Sequence, residues 1–203
     1  MLSTVIPVYN EAATVGHILE CVAAAPLVTM VKEIIVVDDG STDGTAEALR
    51  RYEGRAGIRV IRHEKNQGKG AAVRTALAAA GGDVILIQDA DLEYDPDDYP
   101  ALLAPIEKGK ADVVYGSRFT GQHRNMFFWH MLGNKMLTLI TNILYNTTLS
   151  DMETGYKVFR RKALEGIRLR SRRFDFEPEV TAKVLKRGFK IYEVPISYAG
   201  RDY

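Results

Sequence analysis

Along residues 1–118, short runs rich in Val and Ile alternate with longer amphipathic stretches. The runs 2-LSTVIPVY-9, 33-EIIVVD-38, 58-IRVIRH-63, 83-DVILIQ-88 and 111-ADVVYG-116 have the length of strands. The stretches between them, from about Ala12 to Ala25, Thr45 to Tyr52, Gly70 to Ala80 and Asp97 to Lys108, have helical spacing. Strands that are apolar on both faces belong to parallel sheets covered by helices on two sides, so this rhythm predicts a doubly wound, mostly parallel α/β fold. Helix punctuation agrees: Asn10 is placed to cap the first helix, Ser41 or Asp43 the second, and Asp95 with Pro96 opens the fourth.

From about Phe119 the rhythm stops. Phe128, Met131, Leu132, Met136, Leu139, Ile140, Ile143 and Leu144 recur at helical spacing and predict one long helix within 127–145. Phe127, Phe128 and Trp129 stand beside Arg124, His130 and Lys135, the composition of an interfacial amphipathic helix; a helix packed on the sheet is the alternative. A short strand around 155-GYKVFR-160, a helix from about Glu177 to Arg187 closed by Gly188, and a last strand in 189-FKIYEVPISY-198 complete one domain over 1–203.

Charge and cysteine content narrow the function classes. With 27 Lys and Arg against 26 Asp and Glu, the net charge of +1 provides no basic field for nucleic acid, and none is expected as a partner. The single cysteine, Cys21, excludes an intramolecular disulfide framework and suits a reducing compartment. The start MLSTVIPVYNEA reads as a first strand and not a leader, and no window reaches the roughly 18 apolar residues of a spanning helix. The expected location is cytoplasmic, peripheral on the cytoplasmic membrane face.

In a doubly wound sheet, ligands bind beyond the carboxyl ends of the strands, and the polar clusters fall there. In 89-DADLE-93, the alternation of an extended segment would put Asp89, Asp91 and Glu93 on one face, a set suited to Mg²⁺ or Mn²⁺ on a diphosphate. The competing reading is solvated, helix-capping acids, to which Asp95 and Asp97 are assigned. In 38-DDGSTDGT-45 the carboxylates can accept from ribose hydroxyls or a base N–H, with Asp38 favoured over Asp39; an Asx-rich turn is the alternative. The glycine N–H groups and Lys69 of 66-NQGKGAA-72 offer an anion site at a helix start, or a plain loop.

Taken in order, 5-VIPVYNE-11, 36-VVDDGSTDGT-45, 66-NQGKGAA-72, 88-QDADLE-93, 116-GSRF-119 and 151-DMETGYKVFRR-161 resemble the family 2 glycosyltransferases with the GT-A fold. Within them the chain is most similar to the dolichyl- and polyprenyl-phosphate sugar transferases. The resemblance implies a nucleotide-sugar-binding half, 1–118, and an acceptor half, 119–203. It implies that Pro7, Tyr9, Glu11 and Asp38 hold the nucleoside of a UDP- or GDP-linked sugar, and that Asp89 and Asp91 are the DxD pair beside the metal. Glu93 stands where related members carry Gln or another polar ligand. Arg118 would face the phosphates, with Arg124 or Lys135 helping to hold an acceptor phosphate. Relatives in this subgroup often continue past the last strand, whereas this chain ends at 198-YAGRDY-203, where Arg201 is a candidate to close over the donor.

A divalent ion stabilises the charge that develops on a departing nucleoside diphosphate. A lipid phosphate acceptor is already an anion and needs no base. A sugar hydroxyl does need one, and Asp151, Glu153, Glu177 or Glu179 would have to serve. The expected activity is thus inverting transfer of a glucose- or mannose-type sugar to polyprenyl phosphate. The rivals are transfer to a saccharide hydroxyl and a non-enzymatic, membrane-docking nucleotide-sugar-binding module. A dinucleotide-dependent dehydrogenase is disfavoured, because the first strand opens into 7-PVYNEA-12 and lacks G-x-G-x-x-G.

Overall fold

The computed structural model describes residues 1–27, 29–121 and 127–200. In chain order the elements are β1 (Leu2–Val8), α1 (Val15–Ala24), β2 (Lys32–Asp38), α2 (Thr45–Arg50), β3 (Ile58–Arg62), α3 (Lys69–Ala79), β4 (Val84–Ile87), α4 (Tyr99–Glu107), β5 (Val113–Ser117), α5 (Phe128–Tyr145), β6 (Lys157–Arg160), α6 (Arg161–Leu164), α7 (Phe176–Lys186) and β7 (Ile191–Pro195). The strands form one sheet in the order β3-β2-β1-β4-β6-β5-β7. All pairings are parallel except those of β6, which runs antiparallel to both β4 and β5.

Alternation along each strand sends side chains to two apolar layers. Ile6, Val36, Leu86 and Val158 pack with Ile18, Leu19 and Leu102 on one side. Val5, Ile35, Ile87 and Phe159 pack with Val73, Ala76 and Val180 on the other. This two-sided burial is why the strands read as unbroken apolar runs.

Helix α5 departs from that scheme. Its apolar side chains face outward: Trp129 is 76% exposed, Ile143 72% and Leu144 69%. Its seat on the protein is polar. Thr138 Oγ1 accepts from Met152 N–H at 3.1 Å, and the Asn142 amide bonds both Leu149 N–H and Leu149 O. Of the two readings of 127–145, the helix packed on the sheet by its apolar stripe is the one the fold rejects.

The expected cap needs correction at the first helix. Asn10 adopts φ 55° and its Oδ1 accepts from Thr42 N–H at 2.9 Å, so it joins two loops instead of capping α1, which begins at Val15. Ser41 Oγ accepts from Asn10 N–H, while Asp43 receives Thr45 N–H at the start of α2. Asp95 does accept from Asp97 N–H ahead of Pro96–Asp98, as expected.

Lys157, at the start of β6, is fully buried. Its ammonium donates to Met152 O and Thr154 O and lies 4.2 Å from the centre of the Tyr115 ring. Burial pulls its pKa from the ordinary 10.5 down to about 8, against the attraction of Glu177, Asp151 and Glu153. Between those values the unfolded chain binds the proton more tightly than the folded one, so this group makes stability rise with pH across the window. Against a Lys157→Met variant, the wild type is expected to gain about 3 kcal/mol over that range in urea denaturation. Parallel pH profiles of the two proteins would contradict the assignment.

Candidate active site

Beyond the carboxyl ends of β1, β2 and β4 lies a cavity of about 590 Å³. Each element places a side chain by where it stops. β1 delivers Pro7 and Tyr9 to the wall, β2 is followed by Asp39, α3 opens with Lys69, and β5 is followed by Arg118. Strand β6 matters most for the geometry. Because it is antiparallel, with Lys157 opposite both Ile87 and Tyr115, its amino end meets the carboxyl ends of β4 and β5. The residues just before it, Glu153 and Gly155, therefore fall in the wall, and Arg173 and Phe174 before α7 and Glu177 in its first turn close it.

Asp89, Asp91 and Glu93 all line this cavity. They do not share one face in the way an extended segment would present them, because β4 ends at Ile87 and Leu92 turns to φ 64°. Asp91 Oδ1 accepts from Glu93 N–H at 3.1 Å, and Glu93 Oε2 accepts from Tyr198 OH at 2.7 Å. Asp89 holds the Lys69 ammonium, at 2.9 Å from Oδ1 and 3.0 Å from Oδ2. The same ammonium reaches Glu177 Oε1 at 3.1 Å. Burial pulls the Lys69 pKa down, and Asp89 with Glu177 more than reverses it, so the side chain is a fixed cation. Among the described residues no three Asp, Glu, His or Cys side chains converge into a metal cluster. The chemistry of Asp89 and Asp91 nevertheless fits a hard divalent ion: two carboxylates face the cavity, one already balanced by a cation, and a diphosphate can supply further oxygens.

Arg118, expected to face the phosphates, lies in the cavity wall and is held there by Asp151. Nε donates to Asp151 Oδ2 at 2.7 Å, Nη2 to Asp151 Oδ1 at 2.8 Å, and its backbone N–H to Oδ2 at 3.0 Å. Two of the three guanidinium nitrogens are thus held by Asp151, and the guanidinium carbon lies 5.4 Å from the centre of the Tyr198 ring.

Other expectations change in the same way. Asp38 is 3% exposed, accepts from Ser41 N–H, and is absent from the cavity wall, where Asp39 stands instead. Asp39 in turn receives Gln67 N–H and Gly68 N–H and contacts His63 Nδ1 at 2.6 Å. The Gly68 N–H is thus occupied and not an anion donor. What requires glycine here is close approach, since a Cβ on Gly68, at φ 95°, would lie 2.2 Å from Arg172 O. Tyr9 and Glu11 line the cavity, with Glu11 Oε2 accepting from Thr14 Oγ1 at 2.6 Å. Lys135 lies 5.2 Å over the Phe119 ring and not in the wall, which takes Asn134 from α5. Arg124 and Arg201 lie outside the described residues.

Two of the four carboxylates proposed as bases are disqualified by their partners. Asp151 is fully buried against Arg118. Glu179 receives Arg170 N–H, Ser171 N–H and the Lys183 ammonium; burial pushes its pKa up, but these donors outweigh it and bring it to about 2. Glu153 and Glu177 remain in the cavity wall. Burial raises the Glu153 pKa above the ordinary carboxylate range.

Sequence reading missed the segment before α7. Arg168, Arg170, Arg172 and Arg173 precede Phe174, which is 76% exposed, and Arg173 and Phe174 line the cavity. Four arginines within 168–174 are a signal that composition alone carried.

The fold is shared with a solved enzyme structure. Glucosyl-3-phosphoglycerate synthase from Mycobacterium tuberculosis, in complex with Mn²⁺, UDP-glucose and phosphoglyceric acid, superposes with a TM-score of 0.80 at 23% identity, over 100% of this chain and 72% of that one. The fold is GT-A. The chain belongs to the family Glycosyl transferase family 2, which residues 3–168 match. Curated relatives include a dodecaprenyl-phosphate galacturonate synthase of Rhizobium johnstonii, 29% identical over 100% of this chain and 60% of its own length. A dolichol-phosphate mannosyltransferase of Pyrococcus furiosus is 30% identical over 98% of this chain and 57% of its own. A UDP-N-acetylglucosamine–dolichyl-phosphate N-acetylglucosaminyltransferase of Methanococcus voltae is 28% identical over 100% and 87%. The chain thus spans little more than half the length of the first two.

Proposed function

We propose that this chain transfers a glucose- or mannose-type sugar from a UDP- or GDP-linked donor to a polyprenyl phosphate, with inversion, at the cytoplasmic face of a membrane. Three relatives named for lipid-phosphate sugar transfer support the reaction class. The observation that carries the lipid acceptor is the placement of α5. The helix contributes Asn134 to the cavity wall and exposes Trp129, Ile143 and Leu144 to solvent, so an apolar surface adjoins the site. No helix among the described residues is long and apolar enough to cross a membrane. Contact through α5 is therefore interfacial.

Mg²⁺ or Mn²⁺ would be held by Asp89 and Asp91, with Glu93 nearby, and when bound it stabilises charge on the departing nucleoside diphosphate. The protein's own groups do the rest. Pro7, Tyr9, Glu11 and Asp39, which line the cavity, would hold the nucleoside. Lys69 keeps a positive charge between Asp89 and Glu177. Arg118, held in place by Asp151, lines the cavity where the phosphates would lie, and Arg173 with Phe174 offers a cation and an apolar edge to a lipid phosphate. A phosphate acceptor needs no general base, which agrees with the engagement of Asp151 and Glu179. Transfer to a saccharide hydroxyl is the second reading, favoured by one observation: Glu153 lines the cavity with a raised pKa, as a base would.

Trp129 is the only tryptophan, so membrane contact can be read without a label. Its emission is expected to shift to the blue on addition of anionic phospholipid vesicles, and an Ile143→Glu, Leu144→Glu variant is expected to lose co-sedimentation. Unchanged emission and no co-sedimentation of the wild type would refute docking through α5.

Gly155 tests the position of Asp89. A Cβ there would lie 2.3 Å from Asp89 Oδ2 and 3.0 Å from the Tyr94 ring. Gly155→Ala is expected to turn the carboxylate and lower sugar transfer on the order of 10²-fold. The circular dichroism of the fold should persist. Wild-type turnover would mean that the position of Asp89 is not critical.

A further inference from the structure

Two carboxylate oxygens in the cavity wall lack a donor. Glu153 Oε1 and Glu177 Oε2 are buried, and neither has a hydrogen-bond partner among the described residues. Glu177 is 3% exposed, and its other oxygen already accepts from Lys69. A buried acceptor without a donor is unfavourable and uncommon, and in a cavity wall it marks where a ligand's donor belongs.

The surrounding cations do not fill the need. Lys157 donates to Met152 O and Thr154 O, Lys69 is shared between Asp89 and Glu177, and Arg118 is locked on Asp151. Arg173, the remaining cation in the wall among the described residues, is solvent-exposed. The interior of the cavity thus presents acceptors and negative charge to whatever enters it.

Resting on the reading of the chain as a nucleotide-sugar transferase, we propose that Glu153 and Glu177 form the subsite for the transferred sugar. They bind a neutral hexose through two of its hydroxyl groups and reject a hexuronate. A hydroxyl is a neutral donor that satisfies a carboxylate oxygen directly. A hexuronate carries its own carboxylate to a wall already holding Glu153, Glu177 and Asp89, where like charges disfavour one another and Lys69 and Arg118 already hold carboxylates. Sites built to hydrogen-bond a hydroxyl discriminate strongly, because a wrong ligand leaves the buried groups unpaired.

The test is calorimetric binding, in the presence of Mn²⁺, of UDP, UDP-glucose and UDP-glucuronate to the wild type and to Glu153→Gln and Glu177→Gln. GDP, GDP-mannose and GDP-mannuronate replace them if UDP does not bind. The wild type is expected to bind the neutral sugar nucleotide at least about 10-fold more tightly than the uronate. The Glu153→Gln variant should bind the free nucleotide as the wild type does, and both Gln variants should lose about 10-fold in affinity for the hexose nucleotide relative to their own affinity for the free nucleotide, and narrow the discrimination against the uronate. Equal or tighter binding of the uronate by the wild type overturns the proposal, and this comparison needs no variant to fold. Variants whose turnover falls with hexose binding unchanged overturn it too, making the two residues proton acceptors. Failure of both UDP and GDP to bind overturns the transferase reading itself, a separate result.

Discussion

An Asp151→Ala variant is expected to lose about 3–5 kcal/mol of stability, because it strands the Arg118 guanidinium in a buried site. Arg118 is 8% exposed and Asp151 fully buried, so little solvent reaches the bonds that would be lost. Three donors would be orphaned together: Nε, Nη2 and the backbone N–H of Arg118. Urea denaturation reads the loss directly as a lower midpoint at unchanged slope. Replacing both partners, as Arg118→Met with Asp151→Leu, removes the uncompensated charge and should recover much of the stability. It should not recover sugar transfer, since the guanidinium in the cavity wall is gone. A single Asp151→Ala variant as stable as the wild type would show that the pair is screened.

Asp91→Asn is expected to lower sugar transfer by about 10³-fold, equivalent to about 4 kcal/mol at the transition state. Asp91 is only half-buried and is held by the Glu93 N–H, a bond that Asn can also accept, so the fold should be unaffected. Electron paramagnetic resonance of Mn²⁺ in the presence of nucleotide provides a readout apart from turnover and should report weakened binding. Full activity in the variant, or wild-type activity that survives a chelator, would remove the metal from the account.

The strands were legible because their physics is local. Both faces of β1, β2 and β4 are buried, so each had to be an apolar run bounded by polar turns. The direction of β6 was not legible: 155-GYKVFR-160 reads the same either way, and only the crossing made by α5 brings it in antiparallel between β4 and β5. That one reversal sets Gly155 beside Asp89 and Lys157 beside Ile87, residues 66 and 70 positions away. The stripe along α5 was equally plain, but its outward orientation is decided by Thr138 and Asn142, polar residues that hold the helix down.

The same distinction separates the site residues. The acidic pattern of 89-DADLE-93 was visible, yet the turn at Leu92 was not, since a branched apolar residue at positive φ runs against local preference and is imposed by the surrounding fold. The choice between Asp38 and Asp39 turns on where β2 stops, and neighbouring residues at a strand end point to opposite sides. The pairings Lys69–Asp89–Glu177 and Arg118–Asp151 join distant segments, and no spacing rule reaches them.

The most direct test of the account offers the purified chain a panel of radiolabelled UDP- and GDP-sugars, with Mg²⁺ or Mn²⁺ and polyprenyl phosphate in one arm and hydrophilic saccharide acceptors in the other. The account predicts label in the organic phase from one donor, abolished by a chelator and by Asp91→Asn. Label transferred only to the saccharide, with none in the lipid fraction, would contradict it.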